Sequence, residues 1–214
     1  MTVTISGGIT FGGGGFTFAP GGGGGGSGTQ KAIFGYGYNT LSMTNLVSNT
    51  GVVTGDVTGV GTGRNGLAAA GYGTDKAIFG YGDNNSKVAM TNKVSNTGVV
   101  ATDTTGVGTA RNGLAAAGYG TDKAIFGYGV TPTKVSITNL VSNTGVVATD
   151  TTGVGTARSS LAAATYGTDK AIFGYGNSGS LTAITNLVSN TGVVATDTTG
   201  VGTARDSLAA AAYG

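Results

Sequence analysis

Carboxylate groups recur at fixed intervals along this chain. Asp56, Asp103, Asp150 and Asp197 lie 47 residues apart, each in an Asp-x-Thr-Gly-Val-Gly connection. Paired carboxylates could supply the acid and base of glycoside hydrolysis. Each aspartate, however, occupies the same place in its segment, beside threonine and glycine, so capping of a turn explains the pattern better. The chain has no histidine and no cysteine, which excludes nucleophile–base pairs built on those side chains.

Arginine recurs with the same interval. The four arginines are Arg64, Arg111, Arg158 and Arg205, and they form no basic cluster. A nucleic-acid-binding surface gathers its positive charges in one patch, whereas this chain has a formal net charge of only +2. We therefore predict that these arginines, with Asp103, Asp150 and Asp197, are structural residues that tie neighbouring segments together. A ring of anion or sugar contacts is the alternative for the arginines.

The recurring charges belong to a repeat of about 47 residues. The sequence Lys-Ala-Ile-Phe-Gly-Tyr-Gly occurs at 31–37, 76–82, 123–129 and 170–176. Each repeat contains four short apolar runs separated by Gly, Asn and Asp turns, which predicts four antiparallel strands, here called a to d. With 44 glycines in 214 residues and many β-branched side chains, the chain is predicted to be all-β.

Two resemblances rest on these repeats. The stretch from Arg158 through Lys170–Gly176 and Leu187–Val194 to Arg205 resembles a kelch-type blade, although Gly-Tyr-Gly stands in place of Gly-Gly and Val193 in place of the usual Trp. This resemblance implies a four-bladed, kelch-like β-propeller over residues 29–214. The near-identical units also resemble repeats in virion structural proteins of marine bacteriophages, which implies a tail or fibre protein.

The phase of the repeat predicts how the blades are completed. The repeats begin with strand b at Lys31, and the run from Leu208 to Gly214 has the sequence of strand a. This run can supply the first strand of the first blade, which would close a four-bladed ring and remove open sheet edges. Completion of a neighbouring copy's first blade, as an eight-bladed dimer or an open filament, is the alternative.

Two further zones precede the repeats. Residues 1–19 alternate polar and apolar side chains, which predicts short strands. Residues 20–28 are Pro, Gly and Ser only and form a flexible linker. We expect residues 1–19 to dock on other virion or fibre proteins, because so short a β segment cannot fold alone. The N-terminus has no signal-peptide pattern, and no apolar run is long enough to insert into a membrane.

Differences among the repeats single out one predicted face. The b–c loops and the residues after each arginine vary, whereas the a–b and c–d turns barely change. In an up-and-down blade the two variable regions lie on the same side, as binding loops on a rigid scaffold do. Free drift of exposed loops is the alternative. The candidate ligand-binding residues are Tyr38, Asn39, Asn65, Asn84, Asn85, Lys87, Asn112, Thr131, Lys134, Ser159, Asn177, Ser178 and Asp206.

The sequence thus predicts a non-enzymatic structural and binding protein of a phage virion, which displays a propeller for attachment to a cell-surface glycan or protein. It predicts a homo-oligomer without cofactor or metal site and without a nucleic-acid partner. A self-assembling extracellular fibre subunit, joined by strand exchange, is the first alternative. A glycan-active enzyme that uses the recurrent aspartates is the second.

Overall fold

The computed structural model describes residues 10–12, 15–17 and 31–213, and the regular structure of these residues is entirely β. This confirms the prediction of an all-β chain. The strands are β1 (Thr10–Gly12), β2 (Gly15–Thr17), β3 (Ala32–Gly37), β4 (Leu41–Val47), β5 (Ala68–Tyr72), β6 (Lys76–Gly80), β7 (Thr91–Val94), β8 (Ala115–Tyr119), β9 (Lys123–Gly127), β10 (Thr138–Val141), β11 (Ala162–Tyr166), β12 (Lys170–Gly174) and β13 (Thr185–Val188).

The repeats fold as successive antiparallel sheets. Strands β3 and β4 form the first sheet, and β5–β6–β7, β8–β9–β10 and β11–β12–β13 form the second, third and fourth. The register is the same each time, because Ala69, Ala116 and Ala163 lie opposite the phenylalanine of the next strand. The alanine-rich strands β5, β8 and β11 contact one another along the array.

The segment predicted as strand d pairs with the sheet only at isolated points. In the third sheet these are the bridges of Thr138 with Thr151 and of Val141 with Val147. Between them, the Asn139 side chain donates to the carbonyl of Ala148 and to the Asp150 carboxylate. Side-chain donors therefore replace part of the backbone ladder, and the prediction of four strands per repeat is wrong for the fourth segment, which forms isolated bridges.

The core lies between neighbouring sheets. Phe126 is fully buried and meets Tyr81 of the preceding sheet edge-on, with ring centroids 5.2 Å apart. Its ring covers Gly80, where an added Cβ would lie 2.6 Å from the ring. Only glycine permits this approach, so the Gly-Tyr pair after each Ile-Phe receives the phenylalanine of the next sheet. The same contact joins Tyr36 with Phe79 and Tyr128 with Phe173.

The sheets do not close into a ring, so the prediction of a ring closed by the C-terminal strand is wrong for this structure. Residues 208–213 form no strand, and Tyr213 is fully exposed. Within the described residues β3 pairs only with β4, and Phe34 is 63% exposed whereas Phe126 is 0% exposed. The ring stays open because, among the described residues, 208–213 do not pair with β3 and no phenylalanine ring covers Gly174 of the fourth sheet.

The N-terminal zone contributes one hairpin to the described residues. Strand β1 pairs with β2, with Phe11 opposite Phe16, which lies within the stretch predicted to form short strands. The rest of residues 1–19 and the predicted linker 20–28 lie outside the described residues. Among the residues that the structure describes, we find no helix with the length and apolar character of a membrane span.

Candidate functional site

Each of three buried arginines fixes the sheet that it introduces. Arg111 has no exposed surface, and its Nε donates to the carbonyl of Tyr128 at 2.8 Å. Its Nη1 donates to the carbonyl of Thr109 at 3.0 Å, and its Nη2 donates to Asn139 Oδ1 at 2.6 Å. The guanidinium thus joins the entry of the sheet to its second and third strands, as its fork of donors allows. Arg64 and Arg158 repeat these three bonds.

The same guanidinium also reaches the preceding sheet. The Arg111 Cζ atom lies 4.2 Å from the ring centroid of Tyr81, a cation–π distance. Tyr81 has φ 64°, unusual for an aromatic residue, and its hydroxyl donates to the carbonyl of Val107 at 3.0 Å. Burial is the main reason why the pKa of Tyr81 rises to about 12, with the nearby Arg111 opposing the change. Arg64, Arg158 and Arg205 stack in the same way on Tyr36, Tyr128 and Tyr175.

Three of the recurrent aspartates cap the connections that lead into the sheets. Asp150 accepts from the Thr109 backbone N–H at 3.0 Å and from its hydroxyl at 2.6 Å. It also accepts from Asn139 Nδ2 at 2.9 Å, while the Arg111 guanidinium lies 4.0 Å away. Asp103 and Asp197 accept the equivalent bonds from Thr62, Asn92, Thr156 and Asn186. These carboxylates are therefore committed to hydrogen bonds inside the sheets.

Acid should weaken these caps. Burial alone would raise the pKa of Asp150, but the hydrogen bonds from Thr109 and Asn139 outweigh it and hold the pKa below its usual value. Asp103 and Asp197 are shifted in the same direction for the same reasons. A lowered pKa in the folded state stabilises the fold above the unfolded pKa of about 3.9, and this contribution is lost as pH falls through the folded value.

We therefore expect the melting temperature to fall as the pH drops below about 4. Asp150→Asn should flatten this dependence, because the asparagine has no proton to bind in that range. Thermal unfolding followed by circular dichroism between pH 2 and 7 measures both curves. Asp206→Asn, outside the three caps, serves as the matched control and should keep the steep dependence. Equal slopes for Asp150→Asn and the unchanged protein would contradict this role of the carboxylate.

The structure brings the two variable regions together at one end of the strands. Because Ala68 pairs with Gly80, the residues after Arg64 and the loop after β6 lie on the same side. Asn65 and Asp83 exchange backbone hydrogen bonds of 3.0 and 2.8 Å. The equivalent pairs are Asn112 with Val130 and Ser159 with Asn177. We call this side of the array, formed by the b–c loops and the residues after each arginine, the variable face.

Contacts between sheets make the variable face continuous. The Lys134 ammonium donates to Asn177 Oδ1 in the next sheet, and Asn112 Nδ2 donates to Asp83 at 3.4 Å. Tyr38 is 82% exposed at one end of the face. Asn39, Asn85 and Ser178 are exposed, and Asn65, Asn84, Lys87, Asn112, Lys134, Asn177 and Asp206 are half-buried.

Two predicted contact residues do not present their side chains to solvent. Thr131 is 9% exposed, and its hydroxyl donates to the carbonyl of Thr133 within its own loop. Ser159 is 8% exposed beneath its backbone pairing with Asn177. These two residues therefore contribute little surface to the variable face, and their contact with a ligand stays a prediction.

The constant turns occupy the opposite end of the strands. Because Ala77 pairs with Val94, the a–b and c–d turns lie side by side. The Gly73 backbone N–H donates to the carbonyl of Asp122 in the next sheet at 2.7 Å, and Gly120 repeats this bond with Asp169. An added Cβ at Gly145 would lie 2.7 Å from the Tyr72 ring. The constancy of these turns follows from their use in joining the sheets.

Sequence reasoning missed three partners of the arginine network. Asn139, Thr109 and Tyr128 hold Arg111 from three different segments, and each has a copy in every repeat. Their constant spacing from the arginine was the available signal. Pairing across 17 and 28 residues cannot be assigned from spacing without the sheet register.

Comparison with known proteins adds a likeness of fold. No protein-family model and no curated protein matches the chain. Among solved structures the chain is similar to the one titled "Structure of YjhT", with 13% identical residues and a TM-score of 0.52. The match covers 73% of this chain and 51% of that chain, so the similar part spans about half of that chain. At this identity the likeness concerns the arrangement of the sheets alone.

Proposed function

We propose that this protein is a non-enzymatic scaffold that displays the variable face for binding, as part of a phage virion appendage such as a tail fibre. In this proposal the sheets form a kelch-like, propeller-like array. One observation supports the proposal most strongly. Side chains that recur in every repeat bond to one another, whereas side chains that differ between repeats lie on the variable face.

The recurrent charges support a structural assignment for the constant part. Arg111 is buried with three hydrogen bonds, and Asp150 is held by Thr109 and Asn139. Groups whose hydrogen bonds are used in this way hold the backbone in place and have few donors or acceptors left to bind a substrate. Among the residues that the structure describes, no three acidic side chains lie close enough together to hold a metal ion.

The composition of the variable face supports a polar ligand. Its exposed and half-buried groups are amides, hydroxyls, the ammonium groups of Lys87 and Lys134, and the phenol of Tyr38. Amides and hydroxyls on a rigid scaffold suit hydrogen bonding to sugar hydroxyls, and an exposed aromatic ring adds apolar contact. A cell-surface glycan or glycoprotein fits this chemistry. The virion assignment is supported by the likeness of the repeats to marine phage structural proteins.

The function is tested by substituting residues of the variable face while leaving the arginine network unchanged. The triple variant Tyr38→Ser, Lys87→Ser, Ser178→Ala should keep the melting temperature and lose at least about tenfold in affinity for the best glycan on an array, as expected when central contacts are removed. The matched control is Val99→Ser, Val146→Ser, Val193→Ser, which alters exposed residues at the opposite end. Equal binding by the two triple variants would overturn the proposed binding face.

A second candidate function, a self-assembling extracellular fibre subunit, is favoured by a different observation. Within the described residues the first sheet contains strands b and c but no strand a, while the alanine-rich run at 208–213 has the sequence of strand a and joins no sheet. Exchange of this run between copies would give both parts a partner and would add sheets to the array.

A further inference from the structure

One part of a groove in the first half of the array lies where a first strand of the first sheet would run. The groove lies between the first and second sheets, has a volume of about 730 Å³, and extends from Ala32, Ile33, Ala70 and Ala77 to the turn at 95–98. In the interior, strand β8 both pairs with β9 and contacts β5 of the preceding sheet and β11 of the following one. A strand a for the first sheet would pair with β3 and contact β5, beside the part of the groove that Ala32, Ile33 and Ala70 line.

The run Leu208-Ala-Ala-Ala-Ala-Tyr213 has the sequence that fits this groove. It matches Leu114-Ala-Ala-Ala-Gly-Tyr119 at all but one position. Ala115, Ala117 and Tyr119 are buried in β8, whereas residues 209–213 are exposed. The interior register, with Ala116 opposite Phe126, would place Ala210 opposite Phe34.

The residues just before this run already make the contacts with the preceding sheet that the equivalent interior residues make. Arg205 lies 4.1 Å from the Tyr175 ring centroid, and its carbonyl accepts from the Gly176 backbone N–H at 2.9 Å. The Ser207 backbone N–H donates to the carbonyl of Ser160 at 2.8 Å. The chain therefore begins a further repeat against the fourth sheet, with the same contacts that Arg111 and Arg158 make with theirs.

The other half of the arginine network is found in the first sheet. Within the described residues the Arg205 guanidinium makes one hydrogen bond, from Nη1 to the carbonyl of Thr203. Interior arginines also bond to a tyrosine carbonyl and an asparagine of their own sheet. In the first sheet these positions are Tyr36 and Asn45, and Asn45 already donates to Asp56 at 2.9 Å, as Asn139 does to Asp150. Interior threonines at the position of Thr203 donate to such an aspartate, so Asp56 is the acceptor that Thr203 would bond to in the first sheet.

The packing surfaces at the two ends are complementary as well. Gly80 and Gly127 each lie beneath a phenylalanine ring, 2.6 Å from an added Cβ. At Gly174 the corresponding contact is a Thr185 methyl at 3.4 Å, and no ring from the described residues covers it. Phe34, the phenylalanine without a preceding sheet, is 63% exposed. The open glycine and the exposed ring are the two halves of one interior contact.

We propose that residues 203–213 of one copy complete the first sheet of a second copy. In the assembled pair the run 208–213 of one copy adds as strand a beside β3 of the other. Arg205 and Thr203 of the first copy bond to Tyr36, Asn45 and Asp56 of the second. Phe34 of the second copy packs on Gly174 of the first. The inference rests on the fibre-subunit candidate and deepens it by naming the residues that meet between the two copies. Such an interface joins head to tail, so each added copy leaves one donating and one receiving end until the assembly closes into a ring.

The described geometry favours a second copy over the same chain. In the single chain the run 208–213 joins no sheet and residues 209–213 are exposed, although β3 of the same chain keeps a free edge within the described residues. The three Tyr–Phe contacts between sheets have centroid distances of 5.1, 5.2 and 5.2 Å. A second copy placed by this same step brings its first sheet against the fourth sheet without any change inside the array.

The test mixes two variants, each with one end disabled. Ala210→Pro with Ala211→Pro removes ladder N–H groups from the donated run, because adjacent residues alternate between bonded and unbonded positions. Phe34→Asp places a charge on the receiving end at a residue that is exposed in the single chain. Light scattering after size exclusion should show concentration-dependent oligomers for the unchanged protein, a monomer for each variant, and a 1:1 dimer for the mixture.

Two control variants change similar positions without disabling either end of the array. Ala210→Ser with Ala211→Ser keeps the N–H groups, and Val146→Asp changes an exposed residue mid-array, so both should still assemble. Circular dichroism checks that every variant is folded. A monomer at all concentrations for the unchanged protein would overturn both the interface and the fibre candidate. Assembly that survives in the two end variants would overturn this interface alone.

Discussion

Replacing Arg111 with alanine should lower the free energy of unfolding by about 3 kcal/mol or more, the cost of leaving buried partners of a charged group unpaired. The substitution removes three hydrogen bonds and the stacking on Tyr81. It leaves the buried carbonyl of Tyr128 and the amide oxygen of Asn139 without this donor. Although burial lowers the pKa of Arg111, a guanidinium stays charged, so the lost bonds are the strong, charge-assisted kind.

Arg205→Ala is the matched control for this prediction. Arg205 has the same sequence context and stacks on Tyr175 at 4.1 Å, but it is exposed, and within the described residues its guanidinium donates only to Thr203. Its loss should cost about 1 kcal/mol or less in the dilute single chain, as for other exposed contacts. Urea unfolding at low protein concentration measures both values. Similar losses for the two variants would show that the three-bond network does not govern stability.

Phe126→Ala should cost about 3–5 kcal/mol, the usual range for removing a fully buried aromatic ring. Phe126 fills the space over Gly80 and packs edge-on against Tyr81, and the strand backbone at Gly80 limits how far the cavity can collapse. Loss of this ring should separate the second and third sheets in particular. Hydrogen exchange of the amides in β6 and β9 reports on this locally, and urea unfolding gives the total.

Phe34→Ala is the paired measurement, because the same residue type occupies the same register in the first sheet. At 63% exposure the ring contributes little in the single chain, and the expected cost is about 0.5 kcal/mol. At concentrations where copies join, Phe34 becomes an interface residue, and its loss should lower the extent of assembly. A large cost for Phe34→Ala at high dilution would contradict the exposed position of this ring.

Much of the fold could be predicted from the repeat. The Lys-Ala-Ile-Phe-Gly run becomes strand b in all four repeats, and the Leu-Ala-Ala-Ala run becomes strand a in three of the sheets. Both follow from local chemistry: apolar, β-branched and small residues between turns rich in Gly, Asn and Asp. The separation of variable and constant turns was also readable, because antiparallel connectivity alone determines which turns share a side.

Closure of the ring could not be predicted, because it depends on the angle between neighbouring sheets, which no residue type specifies. The run at 208–213 has the sequence of a first strand, and that pattern is equally compatible with its own ring and with a neighbour's sheet. The angle between sheets is set by packing details such as the approach of Phe126 to Gly80. Likewise the bonds of Arg111 to Tyr128 and Asn139 depend on the register that brings distant segments together.

The central claim is that the two ends of the array recognise each other between copies, and a disulfide tests it most directly. The chain has no cysteine, so a variant with Ala32→Cys and Ala212→Cys contains only the designed pair. By the interior register these positions face each other, as Gly118 and Ala124 do. Directly opposed residues of antiparallel strands have Cα atoms about 4.5–5.5 Å apart, within the range that a disulfide spans.

The control variant, Ala32→Cys with Ala148→Cys, carries one cysteine at the same place and one at an exposed position mid-array. Both proteins are oxidised and compared on a denaturing gel without reductant. We predict a ladder of covalent dimers, trimers and larger multiples for the facing pair, well above the background of the control. A monomer cross-linked within itself, or a pattern no stronger than the control, would contradict the claim.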